Sequence, residues 1–234
     1  MSKKVAVMQP YFFPYIGYFQ LINSANVFVN FDDVNFIKKG WISRNYILNK
    51  DKPFLFSIPL EKPSQNRLIR DLSINNVSDW KIKFLKTVSH FYKNAVCFND
   101  VYKVIDDVIN FESNNLSEFV LNSIKKIAGF LNIKVKFIDS SSKYNNSDLK
   151  RENRIIDICK KEKAGEYINP IGGVALYSKS DFESCGIKLS FLKSGKIRYK
   201  QFNDNFIDNL SIIDILMFNP KERVSELLNN YKII

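Results

Sequence analysis

MQPYFFPYIGYFQLI, residues 8–22, crowds tyrosines and phenylalanines around two prolines and one glycine. It follows KVAVM (4–8), whose unbroken apolar run reads as a short buried strand. It leads into an apolar stretch that reads as a helix over Tyr15–Ala25, and VFVNF (27–31) supplies the next strand. Strand, loop, helix, strand is the opening of an α/β fold. In such sheets ligands sit beyond the carboxyl ends of the strands, where loops enter helix N-termini, and Gln9–Tyr15 is expected there. Pro10 and Pro14 stiffen that loop, and Gly17 permits a close approach of backbone or ligand. An aromatic core plug is the competing reading of the same residues.

The rest of the chain repeats the alternation. FLFSI (54–58), KVKFI (134–138), Glu166–Ile168 and IKLSF (187–191) read as strands, and Arg151–Lys163 as a helix. Two helices close the chain, the first capped by Ser211 and ended by Asn219-Pro220. From about Ser78 to Leu131, apolar residues recur at spacings of three and four, which marks a helical layer or insertion. The expected architecture is α/β, a mostly parallel Rossmann-like sheet with flanking helices and a helical middle segment, in a single domain over 1–234. The polar stretch 139–153 reads as a mobile connector or lid.

Composition narrows the function. Thirty-five Lys and Arg against 24 Asp and Glu give a formal net charge of +11, which favours anionic partners. The lysines are scattered and no helix-turn-helix, zinc-finger or aromatic-basic motif appears, so a phosphate-bearing metabolite is preferred to a specific nucleic acid. No run approaches the roughly 18 apolar residues of a membrane span, so no membrane insertion and a cytoplasmic location are expected. Cys97, Cys159 and Cys185 lack metal-ligand spacing and read as reduced thiols; no metal site is expected. His90 is the sole histidine and lies in an ordinary amphipathic helix. With no Ser-His-Asp set, covalent catalysis is disfavoured, and an enzyme here would work by positioning and charge stabilisation.

Three blocks carry candidate chemistry. YIGY (15–18) stands where nucleotidyltransferases and class I aminoacyl-tRNA synthetases carry H-x-G-H, with Tyr15 and Tyr18 in place of cationic imidazoles. In FDDVNFIKKGWISRN (31–45), Asp32 and Asp33 either take a proton from an attacking ammonium or cap a turn. Lys39 and Arg44 suit a diphosphate, and Trp41 stacks on a base or packs. In INPIGGVALY (168–177), Gly172 and Gly173 allow close backbone approach, and Asn169 and Tyr177 can bond sugar hydroxyls.

Those blocks, with LSIIDILMF (210–218), resemble the WbqC-like family of bacterial proteins, often encoded among genes for O-antigen and other surface polysaccharides. The resemblance implies acyl or aminoacyl transfer, with glycine as one candidate, to the amine of a nucleotide-linked 4-amino-4,6-dideoxy sugar. It carries over Gln9, Pro10, Tyr11, Pro14, Gly17 and Tyr18, then Asp32, Lys39, Trp41, Arg44 and Asn45, and finally Tyr167, Gly172, Gly173 and Tyr177. The cofactor stays open, with ATP or an activated acyl donor as candidates. A noncatalytic binder of sugar nucleotides and a nucleotidyltransferase-like enzyme with the YIGY variant are the alternatives.

Overall fold

The apolar run Lys4–Met8 forms strand β1 at the centre of a six-stranded sheet. In chain order there follow helix α1 (Ile16–Ser24), β2 (Val27–Asn30), β3 (Arg44–Asn49), β4 (Lys52–Ser57), α2 (Trp80–Tyr92), α3 (Phe98–Ile109) and α4 (Leu116–Phe130). Then come β5 (Lys136–Ile138), α5 (Arg151–Lys161), β6 (Glu166–Pro170), α6 (Lys179–Glu183), β7 (Lys188–Ser194), α7 (Ile212–Phe218), α8 (Lys221–Leu228) and β8 (Tyr231–Ile233). This computed structural model describes residues 2–77 and 79–234. Sheet order is β5-β2-β1-β6-β7-β8, parallel throughout except for the last strand. The expected Rossmann-like α/β architecture is what the chain adopts.

Alternation along the strands sorts side chains to two faces. Ala6, Phe28 and Ile168 enter one core, while Val5, Val7, Val27, Val29 and Tyr167 enter the other. Helix α1 lies on the first face and is buried from Ile16 through Ile22, because α8 covers it from outside. A helix buried all round needs its polar residues satisfied. Gln20 meets that need in part: its Nε2 donates to the carbonyls of Leu227, at 2.8 Å, and Asn230, at 3.0 Å, while its Oε1 is buried without a partner among the described residues. Helices α5 and α6 pack on the second face, through Ile155, Ile158 and Phe182. The loops after the adjacent strands β1 and β6 therefore leave toward opposite faces, which makes their carboxyl ends the switch point of the sheet.

The middle helices α2, α3 and α4 share the first core with the sheet. Phe84 and Phe119 from this layer meet Phe12 and Phe13 of the aromatic loop, with ring centroids 6.0–6.2 Å apart. The expected start of the helical segment at Ser78 lies outside the described residues; α2 begins at Trp80. Ser211 caps α7 as its position predicts, accepting from the Ile213 N–H at 3.2 Å. Nearby, Asp214 is fully buried and accepts from Tyr92 Oη at 2.7 Å, Tyr199 Oη at 2.6 Å and Gln201 Nε2 at 2.7 Å. Burial raises its pKa and the three donors partly restrain the rise.

Two local expectations change. FLFSI does not join the parallel sheet: Lys52–Ser57 pairs antiparallel with Arg44–Asn49 in a separate hairpin, whose first strand the pattern did not announce. The polar stretch 139–153 is anchored at three points, Ser141, Tyr144 and Asn146, which are buried because their hydroxyls and amide serve buried charges described below, while Ser147, Asp148, Lys150 and Arg151 stay exposed.

Candidate functional site

The aromatic loop is built by interlocking bonds from three distant elements. Phe13 has a left-handed backbone (φ 42), uncommon for a bulky residue, and its carbonyl accepts from Asn45 Nδ2 and Ser211 Oγ, each at 2.8 Å. The Pro14 carbonyl accepts from the Ile212 N–H at 2.9 Å, and the Phe12 N–H donates to the Trp41 carbonyl at 3.1 Å. Tyr18 is buried, and its hydroxyl donates to the Gln9 carbonyl at 2.8 Å. That hydroxyl is thus engaged inside the loop. Tyr15 has the other fate: its ring lies over the first turn of α1, where Gly17 leaves room that a methyl group would fill.

Tyr11, Pro14, Tyr15, Trp41, Asn45 and Asn209 line a cavity of about 180 Å³. It unites the first two sequence blocks. Trp41 is 46% exposed and Tyr15 39%, so both aromatics show faces to solvent. Burial raises the phenol pKa values of Tyr11 and Tyr15, and both stay protonated donors at neutral pH. Asn45 supplies no free donor, since its amide also spans to the Phe12 carbonyl at 3.3 Å. We expect Asn45→Ala to cost about 1–2 kcal/mol in urea unfolding, since it strands the buried Phe12 carbonyl and leaves the Phe13 carbonyl with Ser211 Oγ alone. Arg44 gives a guanidinium bond to the Lys39 carbonyl, while its Nε is buried without a partner among the described residues. Lys39 is exposed on a turn (φ 60).

The third block stands apart from that lining. Gly173 packs against Asn169, whose amide donates to the Tyr167 hydroxyl, and Tyr167 and Tyr177 meet edge to face at 5.7 Å. Gly172 is exposed, with open space where a side chain would stand. Pro10 is buried and Gln9 half-buried at the end of β1.

Asp32 and Asp33 follow β2 and turn to different partners. Asp33 accepts from Arg154 Nη2 and Ser141 Oγ in a buried ion pair, and Arg154 Nε donates to Asn146 Oδ1 at 3.1 Å. The guanidinium also lies 4.8 Å above the Phe31 ring. Asp33 is therefore committed to structure. Asp32 accepts from Ser117 Oγ at 2.8 Å and Ser140 Oγ at 2.7 Å, and is 4% exposed. Burial is the main cause that raises its pKa; the two hydroxyls lower it and the Asp33 charge raises it. Asp32 lines a cavity of about 460 Å³ with Arg70, Asn115, Glu118, Asn122, Lys125 and Asp139. Asn122 Nδ2 is buried there without a partner among the described residues. Arg70 also lines a neighbouring cavity of about 540 Å³ that reaches Arg154 and Asn146.

Sequence reading did not single out Ser117, Ser140, Arg70 or Asn122. Ser117 and Ser140 lie 85 and 108 residues from Asp32, so no local spacing links them to it. His90 sits on α2 with its ring 5.6 Å from that of Phe91, and it lines none of these three cavities. Among the described residues no group of three or more His, Cys, Asp or Glu is disposed to hold a metal, and no helix is long and apolar enough to cross a membrane.

Comparison with known proteins places this geometry in a lineage. No solved structure matches the chain. A protein of Mycobacterium tuberculosis named uncharacterized protein Rv1507c is 26% identical over 217 residues, covering 92% of this chain and 93% of that protein. Residues 9–226, from the loop after β1 into α8, match the family described as WbqC-like, and the chain belongs to that WbqC-like protein family.

Proposed function

We propose that the protein transfers an acyl or aminoacyl group, glycyl among the candidates, to the amine of a nucleotide-linked 4-amino-4,6-dideoxy sugar in surface-polysaccharide biosynthesis. The observation that carries this reading is Asp32, a buried carboxylate with a raised pKa at the carboxyl edge of the sheet, lining a cavity of mixed charge. An amino sugar arrives as an ammonium and must lose a proton before its nitrogen attacks an acyl carbon. Asp32 takes that proton, the new N–C bond forms, and the bond to the activating group of the donor breaks. Arg70 and Lys125 in the same cavity are each ion-paired, to Asp71 and Asp139, and with Asp32 and Glu118 beside them the lining suits the ammonium of the amino sugar. The activating group, the phosphate of an acyl phosphate, the AMP of an adenylate or the thiol of a thioester, leaves with the electron pair of that bond.

The test is to incubate the protein with a dTDP-linked 4-amino-4,6-dideoxy sugar, glycine, ATP and alternative activated acyl donors, and to weigh the sugar product. Sugar binding with no mass gain from any donor counts against transfer. A noncatalytic sugar-nucleotide binder is the second reading, favoured by one observation: both Asp32 oxygens already hold serine hydroxyls.

The proposed base makes a pH prediction. Asp32 acts only when ionised, so the acylation rate should fall as pH drops through its raised pKa. The fall should begin at higher pH than an ordinary carboxylate near 3.9 would give. A pH–rate profile of product formation checks this, and a flat profile down to pH 4 removes Asp32 as the base.

A further inference from the structure

Tyr15 and Asn209 line two cavities at once, the aromatic one of about 180 Å³ and a second of about 270 Å³. The second is walled by the segment after β7, including Lys196, Arg198, Tyr199 and Asp208. Each alone is smaller than the roughly 300 Å³ at which small-ligand sites begin; joined across Tyr15 they fall within that range. The two halves differ in chemistry. One offers exposed faces of Trp41 and Tyr15 and half-buried Tyr11, with little polar surface. The other offers two cations against one carboxylate. Lys196 and Arg198 form no ion pair among the described residues, and Arg198 is steadied 5.6 Å above the Phe206 ring.

We infer that this double cleft is a nucleoside phosphate site, separate from the Asp32 cavity, with the base between Trp41 and the tyrosines and the phosphates on Lys196 and Arg198. Aromatic faces take any base by stacking, and unpaired cations take phosphate oxygens, Arg by a planar fork. Neither half recognises such a ligand alone. The inference locates a nucleotide without depending on acyl transfer, and the ligand can be the nucleotide of a sugar acceptor or of an ATP-derived donor.

Titration calorimetry of the full chain with UDP, dTDP, ADP, ATP and inorganic pyrophosphate tests it. Nucleoside phosphates should bind more tightly than pyrophosphate, and tighter pyrimidine or adenine binding tells acceptor from donor. Trp41→Ala should weaken nucleotide binding roughly tenfold and leave pyrophosphate unchanged. The pair Lys196→Ala and Arg198→Ala should weaken both ligands, roughly 10- to 100-fold. Gly17→Ala displaces the Tyr15 ring, a flexible side-chain end, and should weaken nucleotides while the circular dichroism spectrum and melting temperature hold. No binding by any nucleotide, or parental affinity in the folded variants, overturns the site. Parental affinity in the variants alongside acyl product would sink this inference and leave the proposed function standing. Weakened binding in the variants without acyl product from the parent would do the reverse.

Discussion

Asp32→Asn should lower acyl transfer by roughly 10²- to 10⁴-fold, the range that loss of a positioned general base gives, while the protein stays folded. Asparagine keeps the shape of the side chain, and the hydroxyls of Ser117 and Ser140 can rotate to meet an amide. The stability of the variant supplies an internal control with a definite sign. Because burial raises the pKa of Asp32 in the folded state, its contribution to stability is present below the unfolded value near 3.9 and is lost as pH rises through the raised value. Removing the charge should therefore leave the variant at least as stable as the parent at pH 7, with the difference shrinking toward pH 4. Product yield by mass spectrometry and urea unfolding at both pH values check the two halves. A variant that loses activity only because it unfolds would remove the case for Asp32 as a base. Full activity in a folded variant would leave the binder reading in its place.

Arg154→Ala should destabilise the protein by about 3–5 kcal/mol, because it leaves the Asp33 carboxylate buried with a single hydroxyl partner. It also removes the guanidinium from the Phe31 ring and from Asn146. Urea or guanidinium unfolding measures the loss. Arg154→Ala combined with Asp33→Asn should recover part of it, since much of the penalty is the stranded charge rather than the missing bond. A loss under 1 kcal/mol for the single change would show that water reaches Asp33 and that the pair is not sealed. The two adjacent aspartates thus predict opposite phenotypes. Asp32 substitution should touch chemistry and spare the fold, and breaking the Asp33 pair should weaken the fold.

The fold was legible in the sequence where strands are buried on both faces. KVAVM, VFVNF and IKLSF are short apolar runs bounded by turn residues, and each forms a parallel strand within about three residues of its expected ends. Arg44–Asn49 was not, because charged and amide residues at its ends hide a hairpin held by tertiary packing. Tyr231–Ile233 is three residues that become a strand by pairing with Leu192–Ser194. At the candidate site, Tyr11, Tyr15, Trp41 and Asn45 could be chosen from their blocks, and the structure brings them to one cavity. Gly172 and Gly173 were chosen on the same footing and lie outside it. Lys196 and Arg198 carry no motif, and only the path of the chain after β7 brings them to Tyr15.

The left-handed backbone at Phe13 has a thermodynamic corollary. A loop fixed by Asn45, Ser211 and Ile212 has its shape set before any small molecule arrives, so association does not have to freeze it. Its ligand should dock with the heat-capacity change of surface burial alone, free of the larger signature that accompanies a segment folding around its guest.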